Sequence, residues 1–405
     1  MRTEQIKALT GIRFFAALWV VLYHSAHANK PFLKAEHPAV WDVLHPLVGF
    51  GTQGVDLFFV LSGFVLTLNY LDQLGPRLDL RRTARFLWLR LARIWPAYLV
   101  VTLGAGALIW FRHHQWHSVS VRSLCWRSLL EQVLMVQQWT SPRAVGTSWA
   151  GPAWSLSAEW LAYLLFPLLA LVALRLRHSL QTRWLFAGSV LALTPYVVKV
   201  LADDGITGPY TWVVRIIPEF VAGMLLCTAM TRLRLTPRQR AYGGLVAVLS
   251  VVAILAALLS TAFGAPRVVG YLVVVLFPVL LGGLAIGRGW LVDLLSTPAL
   301  VLGGAISYAL YLVHGPALHL YRDLTRYTAV AHLSRDTRYV TELVLIAGLV
   351  VVAWVIYRVV EEPSRRAMRR ALDASFPPVE HPLVPAEGEH EDPEHDLAPE
   401  PGSRR

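Results

Sequence analysis

The stretch LVAVLSVVAILAALL, residues 245–259, contains no charged side chain and no regular alternation of apolar with polar residues. A helix or strand half-facing water would place polar residues at a period of 3.6 or 2. A segment apolar on every side has lipid or protein around it, and about 20 such residues cross a hydrocarbon core. A second apolar run covers 342–357. Working outward from these two, comparable runs give ten candidate spans: 9–28, 50–70, 94–111, 155–174, 184–201, 212–231, 241–262, 268–287, 299–320 and 340–360. The expected fold class is therefore all-α, a polytopic transmembrane bundle of about ten spanning helices. The apolar patch 128–139 is too short to cross and reads as a re-entrant or interfacial piece.

Composition agrees. Of 405 residues, 55% are hydrophobic and 16% charged, against about 45–50% and about 25% in soluble domains. Mean hydropathy is +0.50 and the pI near 9.9. A net charge of +11 could suggest a nucleic-acid binder, but the basic residues lie in short clusters between apolar runs. That is how a membrane protein marks its cytoplasmic loops, so no nucleic acid is expected as a partner. Cys125 and Cys227 lack metal or redox spacing, and no metal is expected. The first apolar run carries Arg13 and lacks a small-residue cleavage site, unlike a signal peptide.

Alternating the ten spans puts most arginine clusters, from Arg77 to Arg93, Arg175 to Arg183, Arg232 to Arg240 and Arg365 to Arg370, on one side. The expected location is a cell membrane, multi-pass, with both termini cytoplasmic. Two outer loops, 112–150 and 321–339, break the rule with four Arg each. Residues 1–366 read as one membrane domain with no soluble domain fused to it. From about 372 the chain turns to Pro, Glu, His and Ala, and 372–405 reads as a disordered cytoplasmic tail.

Ionisable groups inside spans cost several kcal/mol unless they face a partner or a cavity, so each is a functional candidate. Arg13 and His24 share the first span. Eleven steps of about 100° return to within about 20° of one face and separate the two by about 16 Å. Arg13 falls towards the cytoplasm and His24 in the outer half. A snorkelling arginine and a packing histidine would be the bland explanation. Topology puts Asp56 in GVDLFFVLSGF, Glu159 in WSLSAEW and His314 in ISYALYLVH in the outer half too, with Ser307 two turns below His314. Arg90 and Arg93 lie three apart at the inner mouth of the third span. Cations inside and acid–base groups outside suit a reaction between an anionic, phosphate-bearing donor and an outer hydroxyl. Arginine grips phosphate by bidentate bonds, and histidine moves protons near neutral pH.

Other polar residues have structural readings. Arg90 and Arg93 could be membrane anchors, and Asp56 could cap its helix. Arg215 and Glu219, four apart, could neutralise each other. Gly63 and Gly223 fit close helix packing, and Trp154 and Trp160 fit interfacial anchoring.

The motifs LTGIRFFAALWVVLYH, GVDLFFVLSGF, RLARIWPAY, WSLSAEW followed by YLLFP, SYALYLVH and the EEP of Glu361–Pro363 occur in this order between residues 8 and 366. Together they make the chain resemble the acyltransferase-3 family of integral membrane O-acyltransferases. The resemblance implies transfer of acetyl or another short acyl group from acyl-CoA, acetyl-CoA above all, to a hydroxyl, commonly on a carbohydrate. It matches Arg13 and His24 to the family's signature pair and Arg90 and Arg93 to its arginine motif. Thr10 departs from it, because many members carry Asp there.

The expected mechanism docks the CoA phosphates on Arg13, Arg90 and Arg93. His24 takes the proton of the acceptor hydroxyl, with Glu159 or Asp56 orienting the imidazole and His314 completing the catalytic set. The expected partners are acyl-CoA, a carbohydrate or glycosylated acceptor, and membrane lipid. Two other readings stand beside it. One is a transporter or flippase of a polysaccharide or lipid-linked sugar, against which the sequence shows no inverted repeat or matched pair of broken helices. The other is an acyltransferase acting on a small secondary metabolite such as a macrolide.

Overall fold

A computed structural model describes residues 3–36, 38–142, 148–327 and 335–375, and every regular element among them is helical. In chain order the α-helices are α1 (Thr3–Glu36), α2 (Pro38–Gly49), α3 (Gln53–Leu74), α4 (Leu80–Trp116), α5 (Trp126–Val133), α6 (Trp154–Ser179), α7 (Thr182–Leu191) and α8 (Thr194–Asp203). They continue with α9 (Thr211–Met230), α10 (Pro237–Ser260), α11 (Arg267–Tyr271), α12 (Leu276–Ile286), α13 (Trp290–Leu295), α14 (Pro298–Tyr327), α15 (Arg335–Ile356) and α16 (Glu362–Ser375). Ten helical stretches are long and apolar enough to cross a membrane, from Lys7–His27 to Val340–Ala374, and they coincide with the ten spans read from the sequence.

Lipid rather than a core explains the apolar runs 245–259 and 342–357. Only 22% of the most apolar window of Pro237–Phe263 is buried, and 11% of that of Val340–Ala374. Leu249, Val252 and Leu255 on α10 and Val351, Val352 and Val355 on α15 point outward, which is tolerable only in an apolar solvent. The inner spans differ, with 78% of the Thr211–Met230 window buried. Two apolar clusters fill the bundle. One joins α4, α6 and α14 to α1, α3 and α9, and the other joins α10, α12 and α13 to the same central three. Small residues permit that closeness. A Cβ on Gly63 would overlap the Phe220 carbonyl, and one on Gly223 the Val60 carbonyl, so α3 and α9 touch backbone to backbone.

Several spans outrun their expected limits. α4 has 37 residues, about 55 Å at about 1.5 Å each. The Asp79 carboxylate caps its start, accepting from the Arg81 and Arg82 amides at 2.8 and 3.1 Å. Arg90 and Arg93 therefore sit inside a continuous helix. The patch 128–139 is no eleventh span: α5 ends at Val133 and the chain then turns inward, burying Met135, Gln137 and Gln138. Residues 372–375, expected to begin the tail, instead finish α16 with Leu372 buried; the rest of the expected tail, 376–405, lies outside the described residues. The end carrying the arginine clusters, the basic end, is laced together by ion pairs between Arg85 and Asp373 and between Arg177 and Asp72, both 2.7 Å.

Breaks fall in the second span between α2 and α3, in the fifth between α7 and α8, and in the eighth between α11 and α12. A five-plus-five inverted repeat would pair these with the seventh, tenth and third; the seventh and third run without a mid-span break, and the tenth carries only the π-helical turn Tyr357–Glu361.

Candidate active site

The first helix sets the site out along its length. Arg13 and His24 do lie on one side of α1, and each meets a different group of neighbours. Arg13 opens into a cavity of about 120 Å³ bounded by α1, α3, α4, α6 and α14. Its guanidinium lies 6.0 Å from the centre of the Phe58 ring and makes no hydrogen bond or ion pair with the described residues. Arg90 and Arg93 line the same cavity from α4. They share a helix face, yet different elements hold them. Arg90 donates to the Tyr70 hydroxyl at 2.6 Å and lies over that ring. Arg93 pairs with Glu361 and faces the Tyr308 ring at 5.7 Å. Glu361, only 1% exposed, ends a π-helical turn over Tyr357–Glu361. Such a bulge commonly marks a functional position.

Glu159 is in this cavity too. Its Oε1 accepts from the Ser62 hydroxyl at 2.7 Å and from the Tyr163 hydroxyl at 2.6 Å. This corrects the expectation that it lies beside His24 in the outer half. The reason is the segment before α6: Ala150, Pro152 and Ala153 are buried, so α6 starts inside the bundle. Counting residues from a surface start placed Glu159 too far out.

His24 is oriented otherwise. Its Nδ1 lies 2.9 Å from the Val20 carbonyl. A carbonyl only accepts, so Nδ1 carries the hydrogen and Nε2 keeps its lone pair. The ring packs edge-on against Tyr23 at 4.9 Å and against the fully buried His314 at 5.0 Å between centroids. The expectation that Asp56 or Glu159 orients the imidazole is thus corrected: a backbone carbonyl one turn earlier and a second imidazole do so. Asp56 is taken by Arg215, whose Nε donates to Oδ1 at 2.6 Å and whose Nη2 donates to the Thr52 carbonyl at 2.9 Å. The same guanidinium lies 5.1 Å from the Trp154 ring centre. Arg215 and Glu219 therefore do not simply neutralise each other; neither Glu219 oxygen meets a hydrogen-bond donor.

Sequence reasoning missed Tyr70, Ser62, Tyr163, Tyr308 and Tyr311, and gave Glu361 no role. The hydroxyl residues carry no signal beyond their place one or two turns from a charged neighbour. Glu361 had one, an acid at the inner end of an apolar span. Among the described residues no group of three or more His, Cys, Asp or Glu gathers as metal ligands.

A family model described as an acyltransferase domain matches residues 6–358. "Acyltransferase MdmB" of Streptomyces mycarofaciens is 27% identical over 405 residues, covering 93% of this chain and 96% of that protein. "Putative peptidoglycan O-acetyltransferase YrhL" of Bacillus subtilis (strain 168) is 27% identical over 212 residues, 49% of this chain and 29% of that one. "Regulator of hypoxia-inducible factor 1" of Caenorhabditis elegans is 25% identical over 222 residues, 52% of this chain and 41% of that one. No solved structure matches.

Proposed function

The chain belongs to the acyltransferase-3 family of membrane O-acyltransferases, and from that premise we propose that it takes an acetyl or other short acyl group from acyl-CoA. Acyl-CoA approaches the basic end, the cytoplasmic one with both termini, and the acceptor is a hydroxyl at the opposite face. The observation that carries this is the division of labour on α1. Arg13 opens into a cavity shared with Arg90 and Arg93, while His24, about 16 Å further along, offers a free Nε2.

Three guanidinium groups converging on one cavity suit the phosphates of CoA. A cavity of about 120 Å³ has room for a thin acyl thioester arm but not for a nucleotide, because drug-sized ligands need about 300 Å³ or more. The adenosine end therefore stays outside. Nε2 of His24 takes the acceptor proton as the oxygen attacks the thioester carbonyl carbon. The C–O bond forms, the C–S bond breaks, and the imidazolium returns the proton to the departing thiolate. His314 is proposed to fix the ring of His24, and Glu159, held by Ser62 and Tyr163, to offset the charge of Arg13 across the shared cavity. Asp56, with Arg215, is proposed to hold the outer framework.

For the acceptor we favour a carbohydrate or glycosylated compound, supported by the relative named as a peptidoglycan O-acetyltransferase. His24→Ala tests the scheme. Labelled acetyl-CoA incubated with membranes should yield labelled ester with the natural chain and none with the variant at equal protein level. Undiminished ester from the variant would remove His24 from the chemistry.

A further inference from the structure

The arginine cavity and the imidazole pair are neighbours, and neither His24 nor His314 lines that cavity. Tyr311 stands between them. It lines the cavity that holds Arg13, and its ring centre lies 5.6 Å from that of His314. On α14, Tyr308, Tyr311 and His314 recur every three residues, climbing from the Arg93 guanidinium to the His24 ring. Phe58 closes the other side of Tyr311 at 6.3 Å.

The divider sits in the apolar core, and polar bonds fix its hydroxyl end. The Tyr311 hydroxyl donates to the Pro152 carbonyl at 2.7 Å and shares a hydrogen bond with Ser155 Oγ at 2.7 Å. Pro152 belongs to the buried segment leading into α6, which rests directly on α14. A Cβ at Gly315 would come within 2.6 Å of the Pro152 ring. The bolt that holds Tyr311 shut is therefore attached to a segment at the acceptor end, while the face it blocks belongs to the donor end.

We propose that Tyr311 is a specificity-determining gate, kept closed by Pro152 and Ser155 until an acceptor disturbs the segment before α6. The gate decides whether the acyl group passes to an acceptor hydroxyl or to water. A thioester held in the arginine cavity cannot reach Nε2 of His24 past a closed tyrosine. Water, the ever-present competitor, is denied the same passage. The inference rests on acyl-CoA being the donor and His24 the base.

The test uses the full-length chain in lipid nanodiscs with acetyl-CoA alone, following release of free thiol. A parallel measurement takes base-labile acetate from cells producing the same variants. Tyr311→Phe keeps the ring and removes the latch. It should raise acceptor-free thiol release by about threefold to tenfold, the factor that one neutral hydrogen bond is worth, so that the ratio of thiol released to cellular ester formed rises. Ser155→Ala should move the ratio the same way by less. Unchanged thiol release in Tyr311→Phe, or a parallel fall in both readouts, overturns the gate alone. No thiol release and no ester from the natural chain overturns the donor assignment together with the gate.

Discussion

Glu219 poses a sharper electrostatic problem than any residue near the cavity. It and Asp56 are both fully buried, and Arg215 ion-pairs with Asp56. Arg215 directs its Nε to Asp56, whereas no hydrogen-bond donor reaches Glu219, and removing one partner of a buried ion pair is the more damaging change. Glu219→Gln keeps the shape of the side chain and breaks no hydrogen bond or ion pair, so it should give folded protein with a melting temperature close to the natural one. Asp56→Asn takes the charge partner from Arg215 and should cost about 3–5 kcal/mol, read as early melting in detergent. Equal damage from both variants would contradict this difference between the two acids. At this scale the sequence was half legible. The alignment of Arg13 with His24 follows from helical period alone. The pairing of Asp56 with Arg215 joins residues 159 apart, and no local pattern reports it. The depth of Glu159 depended on the buried segment before α6, whose residues look like an ordinary loop.

Helices behaved more predictably than side chains. Uncharged length is a coarse property, and it located all ten spans; what it missed was where they stop. α4 begins fourteen residues before its apolar core because Asp79 caps it and nothing from Leu80 to Arg93 breaks it. Gly63 and Gly223 were read as packing positions, and the contact between α3 and α9 shows the cause: each lies against a carbonyl oxygen of the opposing helix. Gly63→Leu should therefore force these helices apart and remove most folded protein from a size-exclusion profile. Gly348→Ala is the control, since a Cβ there meets nothing within 4 Å, and it should leave the profile unchanged. A second element-scale expectation concerns the cap. Asp79→Ala leaves the Arg81 and Arg82 amides without their acceptor and should cost about 1 kcal/mol, visible as a modest fall in melting temperature with transfer activity retained.

For the molecule as a whole, the proposed scheme makes the reaction as sided as the membrane. Guanidinium groups collect where the helices are laced by Arg85–Asp373 and Arg177–Asp72, and the imidazole pair lies beyond Tyr311 towards the other end. The charge asymmetry that separates the ends was plain in the amino-acid order, whereas the tyrosine between them was not, because a tyrosine in an apolar helix carries no distinguishing pattern. Inverted membrane vesicles from producing cells give the decisive measurement. Their cytoplasmic face is outward, and acceptors native to the outer face are enclosed. Labelled acetyl-CoA added outside should appear as base-labile ester protected within the lumen, and this signal should vanish with Arg13→Ala as well as with His24→Ala. Ester formed only on the outer surface of these vesicles, or lumenal ester that persists in both variants, would contradict a path from the arginines to the imidazole.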